Sequence, residues 1–302
     1  MTVARIGEFT SDRARVRFLD AYERTRRRVW PAGAVAVDLP TSFGHTRAYR
    51  WGAGDATPFV LLPGAGGNAL SWHPHVRRLG RHRPVIALDP VGEPGCSVQS
   101  LPLDDGRDWA RWLSEVLDGM GVDRAYLVGS SFGGWVGLQY SRHSPGRVAG
   151  LLLLDPAGFG TVNGRFLAWV VLGGLAGLAP APVRRGAARL LRNATLRDDD
   201  LMGLARATFG FRRRHPVPPA LTDDELRDLA VPVLALLGER SQLYDAPSVA
   251  DRISGLIPGA RSEVVPGAGH DLPLSHPDLI AARAATFAPT TQPRPPAPAP
   301  ES

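Results

Sequence analysis

Runs of consecutive apolar residues alternate with longer amphipathic segments along most of the chain. A continuous apolar run bounded by Gly or Pro is typical of a strand buried on both faces of a parallel sheet, and the intervening segments have the length of crossover helices. The pattern therefore predicts an α/β protein with a mostly parallel central sheet flanked by helices. The predicted strands are residues 35–39, 46–51, 59–62, 85–88, 125–128, 148–154, 231–237 and 262–265.

Helical spacing of apolar residues first appears in residues 11–30, where Ser11 is a suitable N-cap and Pro31 ends the helix. The alternation of strands and helices breaks between Asp155 and Leu229, where we find several helical segments and no convincing strand. We interpret this stretch as a helical cap inserted into the α/β core.

These boundaries give a domain organisation. The final segment is rich in Pro, Ala and Thr and has little to bury, so we predict that it is disordered. The predicted parts are an N-terminal helical extension (1–34), the α/β core (35–155 and 229–288), the helical cap (156–228) and a Pro-rich tail (289–302).

Composition and charge exclude several classes of protein. The chain of 302 residues is 44% hydrophobic and 21% charged, as expected for a globular protein. Its net charge is +6 and all 35 basic residues are arginine. The arginines are scattered, without aromatic residues interleaved among them, so we predict no nucleic-acid partner. Cys96 is the only cysteine, which excludes an intrachain disulfide.

The longest uncharged apolar stretch begins at Phe166 and contains several glycines and prolines. It is short for a membrane span. We interpret it as a buried or substrate-lining helix, with a helix resting on a membrane as the alternative, and expect no stable membrane insertion. No secretory signal or anchor is visible, so we expect a cytoplasmic protein.

A Gly-x-Ser-x-Gly motif at residues 129–133 directly follows a predicted strand. A serine hydroxyl is a weak nucleophile unless it is exposed and close to a base. The small flanking residues allow a sharp turn between strand and helix, which presents the central serine at the edge of the sheet. This pattern predicts Ser131, and not Ser130, as a nucleophile.

A serine nucleophile needs a general base and donors for the oxyanion. His270 lies on a glycine-containing loop after a late predicted strand, which is the best context among the histidines; His73 and His75 are assigned to a surface helix, and His215 to the cap. The backbone N–H of Phe132 is one expected donor. We assign the other to the N–H of Ala65, in the Gly-rich loop after residues 59–62.

The motifs together resemble the α/β-hydrolase superfamily over most of residues 35–287, and a bacterial carboxylesterase-like subgroup that has an N-terminal helix. The nucleophile precedes the histidine, as it does in that superfamily. The matching segments are 63–67, the Gly-Glu-Pro-Gly turn within 89–97, 129–133, Leu154-Asp155-Pro156, Leu237-Gly238-Glu239-Arg240 and 267–270.

Two positions depart from the family pattern. Relatives usually begin the oxyanion loop with His-Gly, where this chain has Pro63-Gly64. The family's triad acid usually follows Gly-Glu-Arg directly, and Ser241 occupies that position. Asp155 and Asp245 are the candidate replacements; Glu239 is expected to point away, and a site without an acid remains open.

The resemblance implies a serine hydrolase that cleaves an ester or related acyl bond. The apolar cap residues, with Trp169 as the chosen contact, predict a hydrophobic small-molecule substrate. We predict no metal and no cofactor, and leave a homodimer open. The alternatives are a non-catalytic ligand-binding protein, motivated by Ser241, and an acyltransferase or C–C bond hydrolase using the same Ser and His.

Overall fold

A nine-stranded sheet crosses the centre of the protein in a computed structural model that describes residues 6–81, 83–161 and 163–289. Its strands begin and end near the predicted positions, because apolar runs without charge are stable only where helices cover both faces. The strands are β1 (Glu8–Phe9), β2 (Val35–Thr41), β3 (Gly44–Trp51), β4 (Phe59–Leu62), β5 (Val85–Asp89), β6 (Val98–Gln99), β7 (Ala125–Ser130), β8 (Val148–Leu154), β9 (Phe211–Arg212), β10 (Val233–Gly238) and β11 (Arg261–Val265).

The helices follow the strands in the alternation expected of crossover connections. They are α1 (Asp12–Val29), α2 (His73–Leu79), α3 (Gly106–Gly119), α4 (Phe132–His143), α5 (Gly164–Leu178), α6 (Ala181–Leu190), α7 (Asp199–Ala207), α8 (Asp223–Arg227), α9 (Ala246–Leu256), α10 (Leu272–Ser275) and α11 (Pro277–Phe287).

The strand order is β11-β10-β8-β7-β4-β5-β3-β2, and β6 pairs with β3. The strands from β11 to β5 are parallel, whereas β3 runs antiparallel to β5, β2 and β6. Side chains of α3, α4 and α9 form a core on one face, and those of α1, α2 and α11 form a core on the other. The predicted mostly parallel, doubly covered sheet is confirmed.

The segment between β8 and β10 contains α5, α6, α7 and α8. The expectation that it contains no strand is wrong at β9, which pairs antiparallel with β1 near the N-terminus. Two-residue strands such as β1, β6 and β9 carry no periodic signal, so only their distant partners define them. The Pro-rich tail predicted over 289–302 lies, apart from Pro289, outside the described residues.

Helix α5 turns an apolar surface towards solvent. Only Gly173 and Gly177 of this helix are buried. Phe166 and Trp169 face the interior in part. The expectation of a buried helix is wrong for the opposite side, where the side chains are between 50% and 62% exposed. That outward face consists of Leu167, Val171, Leu172, Leu175 and Leu178. Within the described residues, no helix has the length and hydropathy needed to cross a bilayer.

His75 is buried, so the expectation that it lies on a surface helix is wrong. Its Nε2–H donates to the carbonyl oxygen of Pro273 at 2.7 Å, which joins α2 to the segment that begins α10. Burial lowers the pKa of His75 to about 4, since a charged imidazole would lose its hydration there.

We expect His75 to make the protein less stable in mild acid. In the unfolded chain it takes up a proton below about pH 6.5, which the folded protein resists until about pH 4. The free energy of unfolding should therefore lose about 1.4 kcal/mol per pH unit in that window. His75→Gln, whose amide retains a donor, is the comparison. In urea unfolding, the free energy of unfolding of the wild type should decrease more than that of the variant as the pH falls. A difference that does not change with pH would contradict the assignment.

Candidate active site

Ser131 lies between the end of β7 and the start of α4, with φ 49° and ψ −115°. A non-glycine residue adopts this backbone conformation only where its surroundings enforce it. The neighbouring glycines allow the close contacts: a Cβ on Gly129 would lie 2.5 Å from the carbonyl oxygen of Gly133, and one on Gly133 would collide with the carbonyl oxygen of Leu62. The turn therefore holds the Ser131 side chain at the carboxyl edge of the sheet.

His270 reaches Ser131 from the loop after β11. Its Nε2 lies 3.0 Å from the Ser131 Oγ, and its Nδ1 lies 2.5 Å from the Asp155 Oδ2. The imidazole is 9% exposed and the carboxylate is fully buried. These contacts form a hydrogen-bonded series from Asp155 through His270 to Ser131. Burial strengthens the charge interactions within this series and keeps the imidazole in one orientation.

Asp155 follows β8 directly and, like Ser131, has a positive φ, here 46°. Its Oδ1 accepts hydrogen bonds from the Gly238 N–H at 2.9 Å and the Tyr244 hydroxyl at 3.3 Å. Its Oδ2 accepts from the Ser241 hydroxyl at 2.6 Å. Burial, with the charge of Asp155 beside it, raises the pKa of Tyr244, so that hydroxyl remains a donor.

The other two acids considered from the sequence lie elsewhere. Asp245 is exposed and caps α9, where its carboxylate accepts from the N–H and the hydroxyl of Ser248. Glu239 accepts from the N–H of Gly267 at 2.8 Å. Of the three candidates, only Asp155 contacts His270.

The oxyanion loop predicted at residues 63–67 lies beside Ser131. A Cβ on Gly64 would come within 3.4 Å of the Ser131 Cβ. Among the described residues, neither the Ala65 N–H nor the Phe132 N–H donates to a protein acceptor. Phe132 begins α4, where an N–H has no partner within the helix and the helix dipole favours negative charge.

A cavity of about 560 Å³ opens over these groups and includes Ser131, His270, Ala65 and Phe132 in its lining. This size suits a small organic molecule. The remaining lining is largely apolar and comes mostly from the segment between β8 and β10. Its apolar members include Phe166, Leu167, Trp169, Val170, Leu201 and Leu204.

Trp169, the predicted substrate contact, lies edge-on to His270 with ring centroids 5.9 Å apart. Its Nε1–H donates to the carbonyl oxygen of Leu191 at 2.7 Å, which fixes the indole in place. The Phe166 ring stacks on that of Trp169 and also contacts the imidazole, with centroids 5.0 Å apart. Trp169 is therefore placed to contact a molecule bound at Ser131, and that contact stays a prediction.

The N-terminal helix contacts the end of β5. The Tyr22 hydroxyl in α1 donates to the buried carboxylate of Asp89 at 3.0 Å. Asp89 also accepts from the N–H groups of Ala69 and Cys96. Burial raises the pKa of the Cys96 thiol to about 12, so it stays protonated and is a poor nucleophile.

Glu93 and His215 also border the site, although the sequence did not predict either as a site residue. The Glu93 side chain is fully buried in the turn after β5, and its carboxylate contacts the Gly66 N–H, Arg213 and His215. The sequence assigned His215 only to the cap. A glutamate inside a Gly-Glu-Pro-Gly turn was the available signal, but nothing local indicates a partner 122 positions away.

In the part of the chain that the structure describes, no group of three or more His, Cys, Asp or Glu side chains is placed to hold a metal ion. A sheet of this topology, with a Ser-His-Asp series at the carboxyl ends of its strands, defines an α/β hydrolase. A model of the alpha/beta hydrolase family matches residues 59–283, and the chain belongs to that family.

Two Bacillus subtilis proteins are similar over nearly their whole length. The uncharacterized carboxylesterase nap is 28% identical, over 90% of this chain and 92% of its own. Carboxylesterase YbfK is 27% identical, over 93% and 96%. The crystal structure of naproxen esterase (carboxylesterase NP) from Bacillus subtilis superposes with a TM-score of 0.80 at 26% identity, over 91% of this chain and 98% of that one.

Proposed function

We propose that the protein is a serine hydrolase that cleaves the carboxylic ester, or a related acyl bond, of a hydrophobic small molecule through an acyl-enzyme on Ser131. The observation that carries this proposal is the hydrogen-bonded series from Asp155 through His270 to Ser131. It ends in a mostly apolar cavity beside two backbone N–H groups that have no acceptor among the residues that the structure describes. The similar proteins named as carboxylesterases support the same reaction.

In the first step, the Ser131 Oγ attacks the substrate carbonyl carbon while its proton passes to the His270 Nε2. Asp155 accepts from Nδ1–H and stabilises the imidazolium that forms. The N–H groups of Ala65 and Phe132 hold the oxyanion. Because these backbone groups are already oriented, little reorganisation is needed as charge develops.

In the second step, the tetrahedral intermediate collapses and the leaving alcohol takes the proton from His270. The acyl group then remains on Ser131. Water attacks it with His270 again as the base, and collapse of the second intermediate releases the acid and restores Ser131. Phe166 and Trp169 border the imidazole and limit the access of bulk water to it.

The binding-protein alternative was motivated by Ser241 in the family's usual acid position. Because Asp155 places a carboxylate beside His270, a serine at position 241 no longer favours that alternative. The Ser241 hydroxyl donates to the same carboxylate. An acyltransferase would use the same groups, and analysis of the products would distinguish it. We also propose a cytoplasmic location, which cell fractionation would test.

We expect a fluorophosphonate probe to label the wild-type protein and not Ser131→Ala, because only an activated serine attacks the phosphorus. His270→Ala should lower the labelling rate by at least about a hundredfold. Ser130→Ala, in which the adjacent hydroxyl is removed, is the matched control and should be labelled. Equal labelling of wild type and Ser131→Ala would contradict the assignment.

Asp155→Asn should lower kcat/KM for a cleaved ester by about 10³–10⁴, because the imidazolium loses its charge partner. Asp245→Asn is the matched control. Asparagine caps a helix as well as aspartate does, so this variant should stay within about twofold of the wild type. Steady-state kinetics on a panel of short- and long-chain esters provides the measurement. A large loss of kcat/KM in Asp245→Asn alone would instead identify Asp245 as the acid.

A further inference from the structure

One buried carboxylate joins the oxyanion loop to the segment 211–217. The Glu93 Oε2 accepts from the Gly66 N–H at 2.8 Å and from the Arg213 Nε–H at 2.8 Å. Its Oε1 accepts from the His215 Nε2–H at 2.7 Å. A charge without solvent exposure is tolerated only when such partners surround it, so the arrangement is closely specified.

His215 connects Glu93 to Phe132, whose N–H is the second predicted oxyanion donor. Its side chain is 2% exposed and its ring stacks on that of Phe132, with centroids 4.8 Å apart and planes at 12°. The Trp109 ring contacts both of these rings, with its centroid 5.5 Å from that of His215 and 5.0 Å from that of Phe132. Glu93 therefore contacts the residue after Ala65 directly, and reaches Phe132 through the imidazole.

We propose that Glu93, through Arg213 and His215, is a positioning residue that aligns both oxyanion donors. This inference rests on the proposed function. Gly66 has φ +76° and no side chain, so its peptide would rotate readily without a fixed acceptor. Arg213 and His215 come from the segment between β8 and β10. The two oxyanion donors are therefore fully aligned only while that segment is in place.

Glu93→Gln tests the proposal with little change in side-chain volume. We expect kcat to fall about tenfold to a hundredfold while KM stays within about threefold, as for a contact that matters mainly in the transition state. The affinity for a boronic acid, which forms a tetrahedral adduct on Ser131, should fall by a similar factor. The affinity for the product carboxylic acid should not change. Glu263→Gln, which removes an arginine-paired carboxylate from β11, is the matched control and should leave all these quantities unchanged.

His215→Phe keeps a ring against Phe132 but removes the bond to Glu93, and provides the same test if Glu93→Gln does not fold. Unchanged kcat in both variants would overturn the proposal. Equal losses of boronic acid and product affinity would also overturn it, because they would indicate general damage to the cavity. A wild type that cleaves no ester and binds no boronic acid would instead count against the proposed function.

A separate observation concerns the outward face of α5, defined above as Leu167, Val171, Leu172, Leu175 and Leu178. On a helical projection these residues share one side with Gly164 and Ala168, and none of them is charged. Soluble monomers rarely expose a contiguous apolar surface of this kind unless it contacts something. Leu167 also lines the cavity, so the face continues to its mouth.

The segment that carries this face is strongly basic. Residues 164–217 contain ten arginines and only three acids, Asp198, Asp199 and Asp200. All three acids are already paired, with His73, with Arg184 and Arg185, and with Arg28 respectively. The Arg206 guanidinium donates to the carbonyl oxygens of Gly177 and Ala179 at the end of α5. In the described part of the chain, the exposed arginines without a carboxylate partner include Arg165, Arg189, Arg192 and Arg206.

We infer that this face docks on an anionic lipid bilayer, with the apolar side chains in the interface and the arginines against the headgroups. An apolar helix face within a basic segment is typical of a helix that binds at the interface of an anionic bilayer. A symmetric contact between two copies would instead bring two basic segments together, which disfavours it.

Co-sedimentation with vesicles tests this inference. We expect the wild type to bind vesicles of equal parts phosphatidylglycerol and phosphatidylcholine at least about tenfold more tightly than pure phosphatidylcholine, with weaker binding in high salt. Val171→Ser/Leu175→Ser should abolish the binding and leave turnover of a water-soluble ester unchanged, since neither residue lines the cavity. Val35→Ser/Leu101→Ser, at other exposed apolar positions, is the matched control.

Absence of wild-type binding to the anionic vesicles would overturn the inference. Light scattering that shows a wild-type dimer, converted to a monomer by Val171→Ser/Leu175→Ser, would also overturn it and assign the face to a second copy.

Discussion

The buried carboxylate of Asp155 accepts hydrogen bonds at the meeting point of three strand ends. Its partners are the Gly238 N–H at the end of β10, the hydroxyls of Ser241 and Tyr244 just beyond it, and the His270 imidazole after β11. An uncompensated charge at this depth would be very costly, so these groups must come together for the chain to fold. The orientation of His270, and hence its distance to Ser131, depends on that set of bonds.

The sequence predicted the long strands, the turn at Ser131 and the importance of His270, because each of these produces a local signal. Apolar runs, a glycine on either side of a serine, and a glycine-containing loop after a strand are all visible within about ten residues. The choice between Asp155 and Asp245 could not be made in that way. Both follow a predicted strand, and only the tertiary arrangement shows that Asp245 caps a helix whereas Asp155 contacts the imidazole.

Contacts between distant segments account for the other differences. Glu93 and His215 are joined across the sheet edge, and β1 pairs with β9, although neither partner carries a pattern that specifies the other. Helix α5 illustrates a different limit. A helix that is apolar on nearly every side gives a weak periodic signal, so the sequence predicts the helix but not the face that turns inward.

Ser241 and His270 both contact the Oδ2 atom of Asp155. Position 241, where the family resemblance leads one to expect the acid, and position 155 therefore border a single polar pocket, at the ends of the adjacent parallel strands β8 and β10. With the carboxylate at position 155, position 241 needs only a small hydrogen-bond donor, which the Ser241 hydroxyl supplies. The acid of this site is therefore located by the carboxylate oxygen that the imidazole contacts, and not by its distance along the chain from the Gly-Glu-Arg segment.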